Sequence, residues 1–117
     1  SKLKEKMKKL FTNYNFEFDK NEKKLLTNFC KQALKQVSGD SRFFAEEKVF
    51  NSIIEKLKQG EDSVKFTKDE KIRLTHQLKQ NSEFMKKEMK KSWFLKKWIY
   101  KTLFKQYDSL IEKFFKD

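Results

Sequence analysis

Almost nothing in this chain forces its backbone to turn. There is no proline, and Gly39 and Gly60 are the only glycines in 117 residues. A β-rich chain of this length needs many more turn formers, so the sequence favours helices joined by short connections. Thirteen phenylalanines and a hydrophobic content of 37% supply a core and exceed what a disordered tail carries. The expected fold is all-α. A single domain over residues 1–117 would form a small bundle of four to five helices, the last of them long.

Helical periodicity supports this reading along the chain. Leu3, Met7, Leu10 and Tyr14 fall on one stripe, predicting a first helix over Ser1–Asn13, with Asn15–Phe18 as a connector. Asp19 followed by Glu22 has the spacing of a capping box. The helix after it carries Leu25, Leu26, Phe29, Cys30, Ala33, Leu34 and Val37, and Gly39 is placed to end it in the left-handed conformation. Asp40 or Ser41 is expected to cap a third helix bearing Phe44, Val49, Phe50, Ile53, Ile54 and Leu57, which Gly60 terminates.

Thr67 and Glu70 repeat the capping-box spacing. The segment FTKDEK at Phe66–Lys71 matches FDKNEK at Phe18–Lys23 in four of six positions, 48 residues apart. Two helices that solve the same capping problem would account for this, and a weak repeat of helical units is the alternative. From Thr67 onward the apolar register does not clearly stop. One helix to Lys116 would be about 75 Å long, against about 30–35 Å for a compact domain of this size. A break is therefore expected near Asn81–Ser82 or Lys91–Ser92, with a continuous bent helix as the alternative.

The formal charge is +12, from 29 basic and 17 acidic residues, and only Arg42 and Arg73 are arginines. A/T-rich coding also yields a chain rich in lysine and poor in arginine, but it does not predict where the charge sits. Phe84–Tyr107 carries eight lysines against the single acid Glu88, while the other 93 residues contribute only +5. Such a focused block steers encounter with an anionic partner. Arginine scarcity argues against base-specific readout, which relies on the bidentate guanidinium fork.

On a helical wheel of the last segment, Leu95, Ile99, Leu103, Tyr107, Leu110 and Phe114 form an apolar arc, widened by Tyr100, Phe104 and Ile111, that is expected to be core. Phe94 and Trp98 lie opposite, among Lys97, Lys101 and Lys105. Lys86, Lys87, Lys90 and Lys91 extend the positive block toward the N-terminus. These nine residues are the candidate binding site, provided that another element does not cover Phe94 and Trp98.

Enzyme chemistry is not expected. The sequence has no glycine-rich phosphate loop, no HExxH and no nucleophile elbow. His76 is the only histidine and has no ligand cluster; Cys30 is the only cysteine and reads as a small buried hydrophobe. No metal or cofactor is expected. The junction VSGDSR could host a helix-turn-helix, but the glutamates of the helix after it make a poor surface for a DNA groove.

The lone cysteine and the lack of a visible signal favour a cytoplasmic location, although secreted helical domains also lack disulfides and the abrupt SKLKEKMKKL start could follow an export signal. No apolar run reaches the roughly 20 residues of a membrane span. The leading expectation is a non-enzymatic interaction domain that docks its lysine/aromatic face on an acidic protein, as an adaptor, inhibitor or effector would. Low-specificity binding of nucleic acid is the alternative, and peripheral binding to an anionic membrane the third reading.

Overall fold

A computed structural model describes residues 14–91 and 93–116, with only the backbone of Phe94 and Leu95. The expected helix over Ser1–Asn13 therefore lies outside the described residues. The elements in order are β1 (Tyr14–Phe16), α1 (Lys20–Val37), a 3-10 turn (Ser41–Phe43), α2 (Phe44–Lys58), β2 (Val64–Phe66), α3 (Lys68–Lys91) and α4 (Phe94–Phe114). Four helices dominate, as expected, but the all-α expectation missed a small antiparallel sheet.

The sheet has a local cause. In Asn15–Phe18 and Ser63–Phe66 the residues alternate, with Phe16, Phe18, Val64 and Phe66 buried and Asn15, Glu17 and Lys65 exposed. That period of two suits a strand with one covered face. Tyr14 pairs with Phe66 and Phe16 with Val64, so Tyr14 belongs to a strand rather than to a helical stripe, and Asn15–Phe18 is more than a connector. The ring of Phe16 stacks on Phe18 at 5.3 Å and tilts against Phe66 at the same separation.

Phe16 and Val64 are also equivalent positions of the two 48-residue-spaced segments. Phe18 and Phe66, equivalent as well, bring their rings within 6.1 Å. The likeness of the two segments therefore extends beyond the capping box: each runs from a short strand through a cap into a helix, and the strands pair through equivalent positions.

Both capping boxes form. Asp19 Oδ1 accepts from the Glu22 amide at 2.7 Å while Glu22 accepts from the Asp19 amide at 2.9 Å. Thr67 Oγ1 and the Glu70 carboxylate make the same exchange at 3.1 and 2.8 Å. Gly39 and Gly60 take φ of 81° and 73° just beyond the ends of α1 and α2, a region that a Cβ penalises. Asp40 caps the 3-10 turn rather than α2. Its carboxylate accepts from the Arg42 amide and guanidinium, and that bond holds its carboxyl below the usual carboxylate range. α2 starts at Phe44 with no side-chain cap, and Phe44, expected on the apolar stripe, is exposed.

The chain forms two compact units whose boundary, Arg73–Leu74, falls inside α3. In the first, α1 packs on α2, burying Leu26, Phe29 and Cys30 from one and Phe50, Ile53, Ile54 and Leu57 from the other, with the sheet aromatics. In the second, the buried set is Leu74, Leu78 and Met85 on α3 with Leu110, Ile111 and Phe115 at the C-terminal end. α3 and α4 run antiparallel. Lys79 Nζ donates to the Lys116 carbonyl at 3.5 Å at one end, and Lys86 reaches Phe104 nearer the other. α3 ends at Lys91, beside the second of the two expected places, α4 starts at Phe94, and α3 continues unbroken through Asn81–Ser82.

Candidate lysine groove between α3 and α4

The last two turns of α3 are nearly all polar. From Lys86 to Lys91 the single apolar residue is Met89. α4 returns alongside them, and this stretch of α3 has little apolar surface with which to cover it. Ile99 and Leu103, expected in the core arc, are consequently 52% and 37% exposed. Of the arc, only Leu110 and Ile111 are buried among the described residues; Phe114 is half-buried, and the buried aromatic at that end is Phe115, which the arc did not include. Trp98 is 66% exposed and Trp93, at the start of α4, is 85% exposed. The side chain of Phe94 lies outside the described residues.

Between the two helices lies a groove of about 620 Å3. Lys86, Lys87 and Lys90 line it from α3. Lys97, Lys101 and Lys105 line it from α4. Met89 and Phe104 supply an apolar floor, and among the described residues Glu83 is the one carboxylate on the lining. Two lysine groups that sequence spacing treated as consecutive thus form facing walls. Lys91 is exposed and does not line the groove. Trp98 sits next to the Lys101/Lys105 row on the helical wheel, at its solvent edge.

The electrostatics of the groove are one-sided. Lys86 pairs with Glu83 at 3.3 Å, with both groups half or more exposed. Lys87, Lys90, Lys97, Lys101 and Lys105 make no ion pair among the described residues. α4 adds to the field, because its first turn has no acidic residue and its N-cap, Trp93, offers no side-chain acceptor. The positive end of its dipole is left uncompensated there. Lys86 Nζ lies 5.6 Å from the centroid of Phe104, so an ammonium already occupies that ring face.

Sequence reasoning missed Met89, Phe104 and Glu83 as parts of this surface. The signal was present in the lysine pairs flanking Met89, which leave it the one apolar side chain available at that level of α3.

Among the described residues, no cluster of histidine, cysteine, aspartate and glutamate could hold a metal ion. None of the described helices is long and apolar enough to cross a membrane. Cys30 is buried on α1, and burial pushes its thiol up to about 12. His76 is exposed on α3. No family model, curated protein or solved structure matches the chain.

Proposed function

We propose that this chain is a non-enzymatic binding domain whose lysine groove docks on an acidic segment of a partner protein. The observation that carries this reading is the convergence of six lysines, five of them without an ion pair among the described residues, over the Met89/Phe104 floor. Lysines alone would serve any polyanion. An apolar floor beneath them suits a ligand with side chains of both kinds, as a polypeptide has. The lysines supply encounter rate and orientation, and the floor and Trp98 supply contact area.

Nucleic-acid binding draws on the same lysines and on Trp98, whose exposed ring can stack on a base. Within the groove, the Lys86 ammonium over Phe104 disfavours stacking, so the protein reading leads.

Charge reversal separates a site from general attraction. The chain is titrated with poly-glutamate and with a generic 30-mer of single-stranded DNA at about 0.15 M salt, where exposed charges are largely screened. Lys97→Glu with Lys101→Glu is expected to weaken poly-glutamate binding at least about tenfold. Lys31→Glu with Lys35→Glu makes the same charge change on exposed positions of α1 and is expected to weaken it far less. Equal losses from the two double variants would overturn the proposal, as would DNA binding tighter than poly-glutamate.

A further inference from the structure

The groove lies between two antiparallel helices, and its walls have a regular pitch. Lys97, Lys101 and Lys105 recur every four residues along α4. They span about 12 Å, or about 6 Å between neighbours, at 1.5 Å per residue. A ligand carrying carboxylates at the same pitch meets every ammonium, and a second helix with acids at i, i+4 and i+8 has that pitch. The α3 wall places Lys86 and Lys90 one turn apart as well. The floor, Met89 and Phe104, runs between the walls. Seen from the ligand, the requirement is an apolar stripe bordered on both sides by acids.

Resting on the docking reading above, we infer that the occupant is an amphipathic α-helix of a partner protein, with Leu-, Met- or Phe-type residues at i, i+3, i+4 and i+7 flanked by glutamates or aspartates. It would lie along the groove as a third helix, held as helix-in-groove complexes are. Its flanking acids face lysines as the edge positions of a coiled coil do. About two and a half turns of it cover the Lys97–Lys105 row. Two other occupants fit worse. The chain's own first residues, SKLKEKMKKL, carry five lysines against one glutamate and are repelled by the walls. A second copy of the groove presents the same lysines to itself.

The test uses the full chain and synthetic peptides of 18 residues. One peptide has the leucine stripe flanked by glutamates. A second has the same composition with the leucines dispersed around the helix, and a third has the stripe with a central proline. Binding is followed by calorimetry at about 0.15 M salt, with circular dichroism of the peptide. The striped peptide is expected to bind at least about tenfold more tightly than either control and to gain helicity. Lys101→Glu is expected to remove most of that affinity without changing the thermal melt. Equal affinity for the striped and dispersed peptides would overturn the helix inference while leaving acidic docking standing. Affinity for the striped peptide unchanged in Lys101→Glu would place its binding elsewhere and overturn the inference. If all three peptides bind more weakly than a 30-mer of single-stranded DNA, both readings fall.

Discussion

Lys86 bridges two neighbours of opposite character: its ammonium stands 5.6 Å from the Phe104 ring centroid and 3.3 Å from a Glu83 carboxylate oxygen. Among the described residues Glu83 is the one acid on the groove lining, so it competes with any incoming carboxylate for Lys86. The pair is at least half exposed on both sides, and such pairs contribute about 0–1 kcal/mol. Glu83→Gln is therefore expected to strengthen binding of an acidic peptide by about two- to fivefold and to leave the thermal melt nearly unchanged. Calorimetry checks the first point. Weaker binding would mean that Glu83 holds Lys86 in its ligand-ready position.

Trp98 and Phe115 are both large aromatics near the C-terminus, yet they differ in kind. Trp98 is 66% exposed and Phe115 is 0% exposed. Trp98→Ala is expected to change stability by no more than about 0.5 kcal/mol, as surface substitutions do, while lowering affinity for the acidic partner. Phe115→Ala empties a buried site and is expected to cost about 3–5 kcal/mol. Thermal melts of the two variants decide this. A large loss from Trp98→Ala would put its ring in the core.

The helices were legible because their signals are local. Asp19, Glu22, Thr67 and Glu70 are cap residues at fixed spacing, and Gly39 and Gly60 end helices through their own backbone freedom. The sheet was not legible as pairing. Strands of three residues carry too few alternations to outweigh helical context, and the partner of Phe16 lies 48 residues away. The groove was half legible. Lysine spacing named both walls, but that the walls face each other depends on α3 ending at Lys91 and α4 returning from Phe94. The exposure of Ile99 and Leu103 depends on what α3 places opposite them, which a wheel drawn for α4 alone does not contain.

Cys30 is fully buried and its thiol is pushed up to about 12 from an ordinary 9.0 by desolvation. The thiolate is the reactive form, so at pH 8 the native thiol holds roughly a thousandfold less thiolate than a free one. Alkylation by iodoacetamide is expected to be negligible in the native state and to become fast in about 6 M guanidinium, where the chain unfolds. Rapid alkylation of the folded chain would show that α1 opens readily from α2.

Glu22 and Glu70 hold equivalent places in the two capping boxes, but their surroundings differ. Glu22 serves a cap at the surface. Glu70 is 5% exposed, and its carboxylate accepts from Lys56 Nζ, Ser52 Oγ and the Thr67 amide. Burial pushes the Glu70 carboxyl up, but the bonds from Lys56, Ser52 and Thr67 and the charge of Lys56 outweigh it, and the net direction is below the ordinary 4.5. A carboxyl whose folded value is depressed stabilises the fold above its unfolded value, and that contribution is lost as pH falls through the folded one. Glu70 therefore contributes fully at neutral pH and progressively less below about pH 4.5. Glu22→Ala is expected to cost about 0.5–1.5 kcal/mol, the loss of the one bond from the Asp19 amide while the Asp19 cap itself stays. Glu70→Ala is expected to cost about 2–4 kcal/mol, because it also strands Lys56, Ser52 and the Thr67 amide. Urea melts at pH 7 and pH 3.5 separate the two. The gap between wild type and Glu70→Ala should narrow at the lower pH, and an unchanged gap would mean that burial, rather than the charged network, sets the worth of Glu70.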